Sequence, residues 1–261
     1  MSYRKAISRL INLSVRQTFE HRSNLYLNLT LQVINYGFLI LFIEIIFSRV
    51  NTVAGWSVDE MQLLGVVSQS SAVLYSVFFS GGISRLQESV RTGGFDYFLL
   101  KPLDAQVHCS VSRINPLGLI ALIGPLIWVA FLVSQRNLHL SLPLIPVVFF
   151  ILCLGVVIRY SFGLGTAVLS FLLTKVSALQ SLQSALLNQS HFPISMYSGW
   201  MRTFAIYMVP VALIANSPTL ILLEGGTGYY SIILLLYSVL SVVFTRYLYT
   251  TLVKKYTSAS S

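Results

Sequence analysis

The sequence predicts an all-α polytopic membrane protein with six transmembrane helices. Hydrophobic residues make up 55% of the 261-residue chain and charged residues only 10%, whereas soluble domains carry about a quarter charged residues. Several apolar runs reach the roughly 20 residues that cross a bilayer core as a helix. Most basic residues cluster beside or between these runs. Together these observations exclude a soluble globular domain.

Segment 1–24 is predicted to form an amphipathic helix that lies on the membrane surface. Apolar residues recur at helical spacing from Tyr3 to Phe19, and five basic residues lie around them. A helix with one apolar and one basic face binds at the boundary between lipid and water. The alternative is a basic tail that only sets the topology. Residues 25–261 are expected to form a single transmembrane domain.

The first two spans are expected at 25–47 and 60–80, joined by a short outer loop. Glu44 lies near the outer end of the first span, where its carboxylate can reach water. The second span is rich in serine and alanine, and small residues let helices pack closely in lipid. The alternative is that Gln69 and its polar neighbours line a path through the membrane.

Segment 81–113, between the second and third spans, is the longest charged stretch. It carries five charged residues of interest: Arg85, Glu88, Arg91, Asp96 and Lys101. The first three lie three apart, so they fall on neighbouring turns of a short helix. Gly93 or Gly94 can end that helix by adopting a left-handed backbone. The alternative is a solvated loop whose charges only maintain solubility.

The third and fourth spans are expected at 114–133 and 143–173. Arg159 lies in the middle of the fourth span. An arginine within a membrane must face protein, face a wet cavity, or lie where the helix breaks. The sequence therefore predicts one tilted or broken span with a buried charge.

Two topologies remain open for the stretch 176–226. In one, 203–224 is the fifth span. In the other, 176–191 is the fifth span, and 192–226 enters and leaves the membrane from the outer side as a re-entrant element. Irregular backbone at membrane depth is tolerated only where protein or water covers it. Residues 229–250 form the last span in both.

A polar fifth span must be buried within a bundle, which suggests an internal path. The candidate path residues are Gln69, Gln180, Gln183 and Asn188. The substrate class cannot be deduced from these amides.

The distribution of basic residues places both termini on the cytoplasmic side. Five basic residues precede the first span, four lie in 83–113, Lys175 follows the fourth span and three close the chain. Lysine and arginine beside spans stay on the cytoplasmic side. The net charge of +9 therefore reflects topology and contact with anionic lipid rather than nucleic-acid binding.

Motifs for catalysis are absent from the sequence. It holds no HExxH, GxSxG, GxGxxG after a strand, or GxxxxGK[ST], and its four histidines are scattered. We therefore expect a non-catalytic chain without a metal site or a nucleotide-binding loop.

Three stretches carry a resemblance to a known family: GWSVDEMQLLG, RTGGFDYFLLKPLD and HFPISMYSGWMRTFAIYMVPVALIANSPTLILLEG. The chain resembles the six-span permease subunits of type-2 ABC exporters, especially those whose cytoplasmic segment carries Arg-x-Gly-x-Asp and then Leu-Leu, a basic residue and proline. The residues that match this signature are Arg91, Gly93 or Gly94, Asp96, Leu99, Leu100, Lys101 and Pro102. The matching residues of the proline-aromatic element are Pro193, Tyr197, Trp200, Arg202, Pro210 and Pro218. The doubled glycine departs from the pattern.

The resemblance implies the membrane half of an ATP-driven exporter, paired with itself or with a related permease. Two copies of a separate ABC ATPase would bind ATP and magnesium, so this chain would need no cofactor. Segment 83–104 would couple to that ATPase through Arg85, Glu88, Arg91, Gly93, Gly94, Asp96 and Lys101. The expected location is the bacterial inner membrane, in contact with lipid and with both termini cytoplasmic. The resemblance also favours the re-entrant topology.

A channel that needs no ATPase, or a membrane assembly or sensor subunit, is the alternative function. An adjacent reading frame that encodes an ATPase would favour the exporter.

Overall fold

The computed structural model describes residue 12 and residues 22–101, 104–136, 138–172, 177–226 and 228–256. Every regular element in these ranges is helical, which confirms the predicted all-α polytopic class. The helix predicted for 1–24 lies almost entirely outside the described residues. Pro102 of the signature and Lys175 also lie outside them.

The α-helices, in chain order, are α1 Arg22–Phe47, α2 Val58–Tyr75, α3 Gly81–Thr92, α4 Asp96–Leu99, α5 Ala105–Val111, α6 Ile123–Gln135, α7 Ile145–Val168, α8 Ser177–Asn188, α9 Gly199–Thr203, α10 Leu213–Glu224 and α11 Tyr229–Leu252. Shorter helical turns extend several of them: Ser76–Ser80 joins α2 to α3, Pro116–Leu122 leads into α6, Leu142–Leu144 leads into α7, Leu169–Phe171 follows α7, Gln189–His191 follows α8, Ile194–Met196 precedes α9, Phe204–Met208 follows α9, and Val253–Lys255 follows α11.

Five helical stretches of the described chain are long and apolar enough to cross a membrane. They are Leu29–Phe47, Val58–Thr92, Pro116–Gln135, Leu142–Phe171 and Tyr229–Lys255. A sixth crossing is reached if the bent pair Gly199–Met208 and Leu213–Glu224 counts as one span. The predicted first, third, fourth and last spans agree with these bounds within a few residues, apart from the end of the last span.

The second span is longer than the prediction, because it continues into the charged segment without a break. Val58–Thr92 is one helical stretch of 35 residues, about 50 Å long at 1.5 Å per residue. Ser76–Ser80 forms a π-helical turn within it. Asn115 donates its N–H to the Val77 carbonyl in this turn at 2.9 Å, so the approach to the third span is held there.

Local sequence explains where this long helix begins and ends. Ser57 and Glu60 form a capping box, in which each side chain accepts a backbone N–H of the other residue. Gly93 ends the helix with a φ of +77°, a left-handed conformation that glycine adopts without a Cβ clash. Gly93 rather than Gly94 therefore has the stop role left open by the doubled glycine.

The bundle has two distinct ends. The basic end is formed by α3, α4, α5 and the last turns of α11, where the Tyr256 hydroxyl donates to the Gly93 carbonyl at 3.3 Å. The opposite end holds the loops before α2, before α7 and before α11. There the Ser141 N–H donates to the Leu222 carbonyl at 2.8 Å.

The bent helix pair consists of two arms, Gly199–Met208 and Leu213–Glu224. Each arm is hydrogen-bonded to a residue at the opposite end of the bundle. Its two helices meet at 95°. Arg202 on the first arm donates to the Tyr230 hydroxyl at 3.1 Å, and Leu222 on the second arm accepts the bond from Ser141. The corner between the arms is buried, and α10 is buried along most of its length against α2 and α7.

A polar clamp joins α1, α2 and α6 at the opposite end. The Glu44 carboxylate accepts hydrogen bonds from Arg136 at 2.8 Å and from Gln62 at 2.7 Å. Arg136 also bonds Asp59 at 3.1 Å, and the Trp128 indole N–H donates to Gln62. The sequence analysis expected Glu44 only to reach water, but its partners explain why an acid is tolerated near the span end.

Gly82 lets α3 and α5 pack closely, and we predict that Gly82→Ala destabilises this contact. An added Cβ would overlap the backbone carbonyl oxygens of Cys109 and Ser110, which cannot rotate away. Overpacking of this kind costs about 1–3 kcal/mol, so the unfolding temperature in detergent should fall. Gly94→Ala is the matched control, because its nearest new neighbour is the Thr92 hydroxyl at 3.6 Å. Equal melting temperatures for both variants would contradict the packing.

Candidate functional site

The tip of the basic end presents an exposed patch, here called the charged surface: Glu88, Arg91, Tyr97, Leu99 and Leu100. The Arg91 guanidinium donates to both Glu88 carboxylate oxygens, at 2.8 and 2.9 Å. Leu100 is 85% exposed and lies outside the helical stretches that are long and apolar enough to cross a membrane. An exposed apolar group beside charges is typical of a protein-binding surface.

Arg85 and Lys101, two other predicted coupling residues, lie beside this surface and contact aromatic rings. The Arg85 guanidinium lies 5.5 Å from the Phe98 ring centroid, and the Lys101 ammonium lies 4.1 Å from that of Tyr97. Cations at these distances are attracted by the ring face. Asp96 is half-buried at the start of α4. The structure therefore brings the predicted set together at one end but exposes only part of it.

Two aromatic residues that the sequence analysis did not assign hold the charged surface in place. Phe95 is fully buried and packs edge-on against Phe171 and Tyr256. Phe98 is 2% exposed and lies beside Phe95. Their spacing of three residues within a charged stretch is the signal that could have identified them.

An ion pair that the sequence analysis missed ties the charged segment to the last span. Arg246 donates to both Asp104 carboxylate oxygens, at 3.1 and 2.7 Å, and to the Gln106 amide oxygen at 2.7 Å. The hydrogen bond from Arg246 holds the pKa of Asp104 below its usual value. Asp104 also caps α5 by accepting the Val107 N–H. Its position before a short helix is an N-cap signal, but the partner 142 residues away is not readable from spacing.

His108 is buried in the same region and uncharged at neutral pH. Its Nε2 atom lies 3.3 Å from the Lys101 ammonium, which can only donate. Burial, together with the nearby cations of Lys101 and Arg85, lowers the pKa of His108 to about 4. The neutral imidazole therefore accepts a hydrogen bond from the Lys101 ammonium at Nε2.

Arg159 lies at the centre of a buried polar cluster where α2, α7 and the turn after α8 meet. Its side chain donates to the Ser71 hydroxyl and to the Ser190 hydroxyl, each at 2.9 Å, and to the Ser68 carbonyl at 3.5 Å. The hydroxyls of Ser68 and Ser190 also bond each other at 2.7 Å. Of the three surroundings that the sequence left open for an intramembrane arginine, the structure shows the protein-facing one, since Arg159 is only 4% exposed.

A polar cleft of about 190 Å³ lies between α3, α7 and α8. Gln180 and Gln183, two of the four predicted path residues, line it. Gln180 donates to the Gln87 amide oxygen at 2.7 Å, and Gln183 accepts from the Thr166 hydroxyl at 2.6 Å.

The other two predicted path residues do not line this cleft. Gln69 is half-buried on α2, and Asn188 is exposed at the end of α8.

The five residues predicted for the re-entrant element have different surroundings. Pro193, Pro210 and Pro218 are buried, whereas Trp200 and Arg202 are exposed. Asn216, which was not predicted, accepts the Ile194 N–H at 3.0 Å and donates to the Phe192 carbonyl at 3.0 Å. This asparagine joins the stretch after α8 to α10.

The described residues hold no group of three histidine, cysteine, aspartate or glutamate side chains that could bind a metal ion.

We predict that His108 makes stability depend on pH between about 6.5 and 4. An unfolded histidine titrates near 6.5, whereas folded His108 stays neutral down to about 4. The unfolded state therefore gains a proton that the folded state lacks, and stability falls by about 1 kcal/mol per pH unit as the pH drops through this window. Melting temperatures at pH 7, 6 and 5 should show a smaller loss for His108→Gln than for wild type. His139→Gln, at an exposed position, is the control. Parallel curves for wild type and His108→Gln would contradict the assignment.

Comparisons with known proteins agree with this architecture. The model of the ABC-2 family transporter proteins matches residues 33–260, which is most of the chain and includes both the charged surface and the Arg159 cluster. Searches of curated proteins and of solved structures gave no significant match. The family match supports a permease-type membrane transport component that normally works with an ABC ATPase. The chain thus belongs to the ABC-2 transporter family.

Proposed function

We propose that this chain is the permease subunit of an ATP-driven exporter and that the charged surface binds a separate ATPase. The observation that carries the proposal is the continuous helix Val58–Thr92. Its end presents Glu88 and Arg91, while its middle supplies Ser68 and Ser71 to the Arg159 cluster. Force applied at the charged surface would therefore reach the polar centre of the bundle through one rigid element.

Three attachments keep the charged segment from moving independently of the spans. Asn115 is bonded to Val77 at the π-helical turn, and Asp104 is bonded to Arg246 on α11. Phe95 packs against Phe171, which follows α7, and against Tyr256, which follows α11. A docked ATPase that closes on ATP would act on the whole assembly rather than on a loose loop.

The polar cleft supports a translocation path between two permease chains. Gln180, Gln183 and Gln87 place amides at its wall. Gln180 and Ser184 are exposed on α8, and a polar helix face at membrane depth must be covered by protein or water. In this proposal a second copy or a related permease covers that face, and Asn188 and Gln69 would extend the path beyond the cleft.

The proposed arrangement also sets the topology. The basic end is cytoplasmic, both termini lie inside, and α8 with its following turn forms the fifth crossing. The bent pair Gly199–Met208 and Leu213–Glu224 is then the re-entrant element, entering and leaving from the outer side. The bonds of Arg202 and Leu222 at the opposite end support this assignment. The location that fits is the bacterial inner membrane, with ATP and magnesium bound by the partner ATPase.

We predict that reversing charge and polarity at the charged surface separates the chain from its ATPase. The double variant Arg91→Glu and Leu100→Asp should recover at least tenfold less ATPase on affinity purification from native membranes. Both side chains are exposed and neither packs in the core, so the variant should fold. ATP hydrolysis in the purified material should fall in proportion.

Arg49→Glu is the matched control, because Arg49 is an exposed arginine at the opposite end. Undiminished ATPase recovery with the double variant would contradict the docking site. Recovery of the wild-type chain without any ATPase would contradict the exporter itself and favour a channel or assembly subunit.

A further inference from the structure

Arg159 is a membrane-buried cation whose recorded hydrogen bonds all go to neutral oxygens. Its acceptors are two serine hydroxyls and one backbone carbonyl. The four ion pairs among the described residues involve Arg91, Arg136 and Arg246 instead. A buried charge without a counter-charge is unfavourable, and within a membrane it marks a functional site by default. The site is therefore suited to an anionic group.

The polar cleft lies further along the same helices that hold Arg159. On α7, Gly163 and Thr166 follow Arg159 by one and two turns, and both line the cleft. On α2, Tyr75 follows Ser71 by one turn and also lines it. A Cβ atom at position 163 would overlap the Tyr75 hydroxyl. The glycine therefore allows this hydroxyl to pack against α7. Arg159 thus lies one helical turn from Gly163, which lines a cleft of amides and hydroxyls, but does not line the cleft itself.

An apolar groove of about 440 Å³ lies on the other side of Thr166, between α7 and α11. Its lining is mainly apolar and includes Ile158, Phe162, Leu169, Leu240, Phe244 and Leu248. Thr166 lines both the groove and the cleft. The Ser161 hydroxyl also lines the groove, is buried and has no hydrogen-bond partner. A volume of this size falls within the range of small-molecule sites, about 300–1,000 Å³.

We infer that the chain binds an amphiphile with an acidic head group. The head group occupies the cleft and is attracted by Arg159, and the apolar tail occupies the groove. Arg159 attracts phosphate or carboxylate through its charge, which a guanidinium keeps even when buried, whereas its Nε and one Nη already donate to the serine cluster. The same chemistry is offered by an exported molecule and by a resident acidic lipid, and only the export step rests on the proposed function.

The first experiment compares two probes on the wild-type complex in phosphatidylcholine nanodiscs. Dodecyl phosphate and dodecyl maltoside carry the same tail, so their difference in affinity reports the head group. We expect dodecyl phosphate to bind at least tenfold more tightly. Equal affinities would overturn the inference, and this comparison needs no variant to fold.

Variants then assign the two compartments. Arg159→Gln should weaken dodecyl phosphate binding at least tenfold, whereas Arg159→Lys, which keeps the charge, should weaken it less. Gly165→Leu should weaken dodecyl phosphate but not butyl phosphate, because Gly165 lines the groove and a Cβ there meets only Thr245 at 3.7 Å. Gly37→Leu is the matched control, since a Cβ at position 37 meets no atom within 4 Å. A folded Arg159→Gln variant with wild-type affinity would show that Arg159 is only a structural tie.

Addition of ATP separates the two sources of the ligand. Dodecyl phosphate that is released on ATP hydrolysis behaves as cargo, whereas occupancy that ATP does not change identifies a resident lipid; both support the acidic-amphiphile site. A bound ATPase without preference for the acidic probe would overturn this inference and leave the proposed function intact. Preference for the acidic probe without any bound ATPase would support this inference and overturn the proposed function.

Discussion

The buried guanidinium of Arg159 is the constraint on which the centre of this bundle depends. A cation at membrane depth must be hydrogen-bonded, and α7 alone offers it no acceptor. Ser68 and Ser71 on α2 and Ser190 after α8 supply them. The need to satisfy one side chain therefore draws together three helices that are far apart in sequence. The polar cleft follows from the same convergence, because the faces that meet at Arg159 continue toward the basic end.

Charged side chains have different partners at the two ends of the bundle. At the opposite end, Glu44 and Arg136 neutralise each other near the span ends. At the basic end, cations are held by aromatic rings and by Asp104, which leaves Glu88, Arg91 and Leu100 outward. Buried aromatic residues hold the scaffold of this tip in place. The long helix Val58–Thr92 joins this surface to the Arg159 cluster.

Much of the fold could be predicted from the sequence, because span length, apolar composition and basic flanks are local properties. The helix stop near Gly93 was predictable for the same reason, whereas for Arg159 the sequence left open a protein-facing position, a wet cavity and a helix break. The sequence analysis ended the second span where the charged residues begin. In the structure the helix continues through them to Gly93. The Asp104–Arg246 pair and the Asn216 link were missed because their partners are distant in sequence. Of the four predicted path residues, only Gln180 and Gln183 line the cleft, where they lie opposite Thr166 on α7. Which amides line a cleft depends on how the helices pack, and residue type alone does not encode that.

The most direct test of the account measures whether Val58–Thr92 moves as one rigid body. Spin labels at Val58 and Thr92, and in a second sample at Thr92 and Ala185 on α8, would be compared by pulsed dipolar spectroscopy with and without ATP in the complex. The account predicts that the first distance stays fixed while the second changes, because the helix moves as a unit and alters the cleft. A first distance that changes on addition of ATP would mean that the helix bends at Ser76–Ser80, and would contradict rigid transmission to the Arg159 cluster.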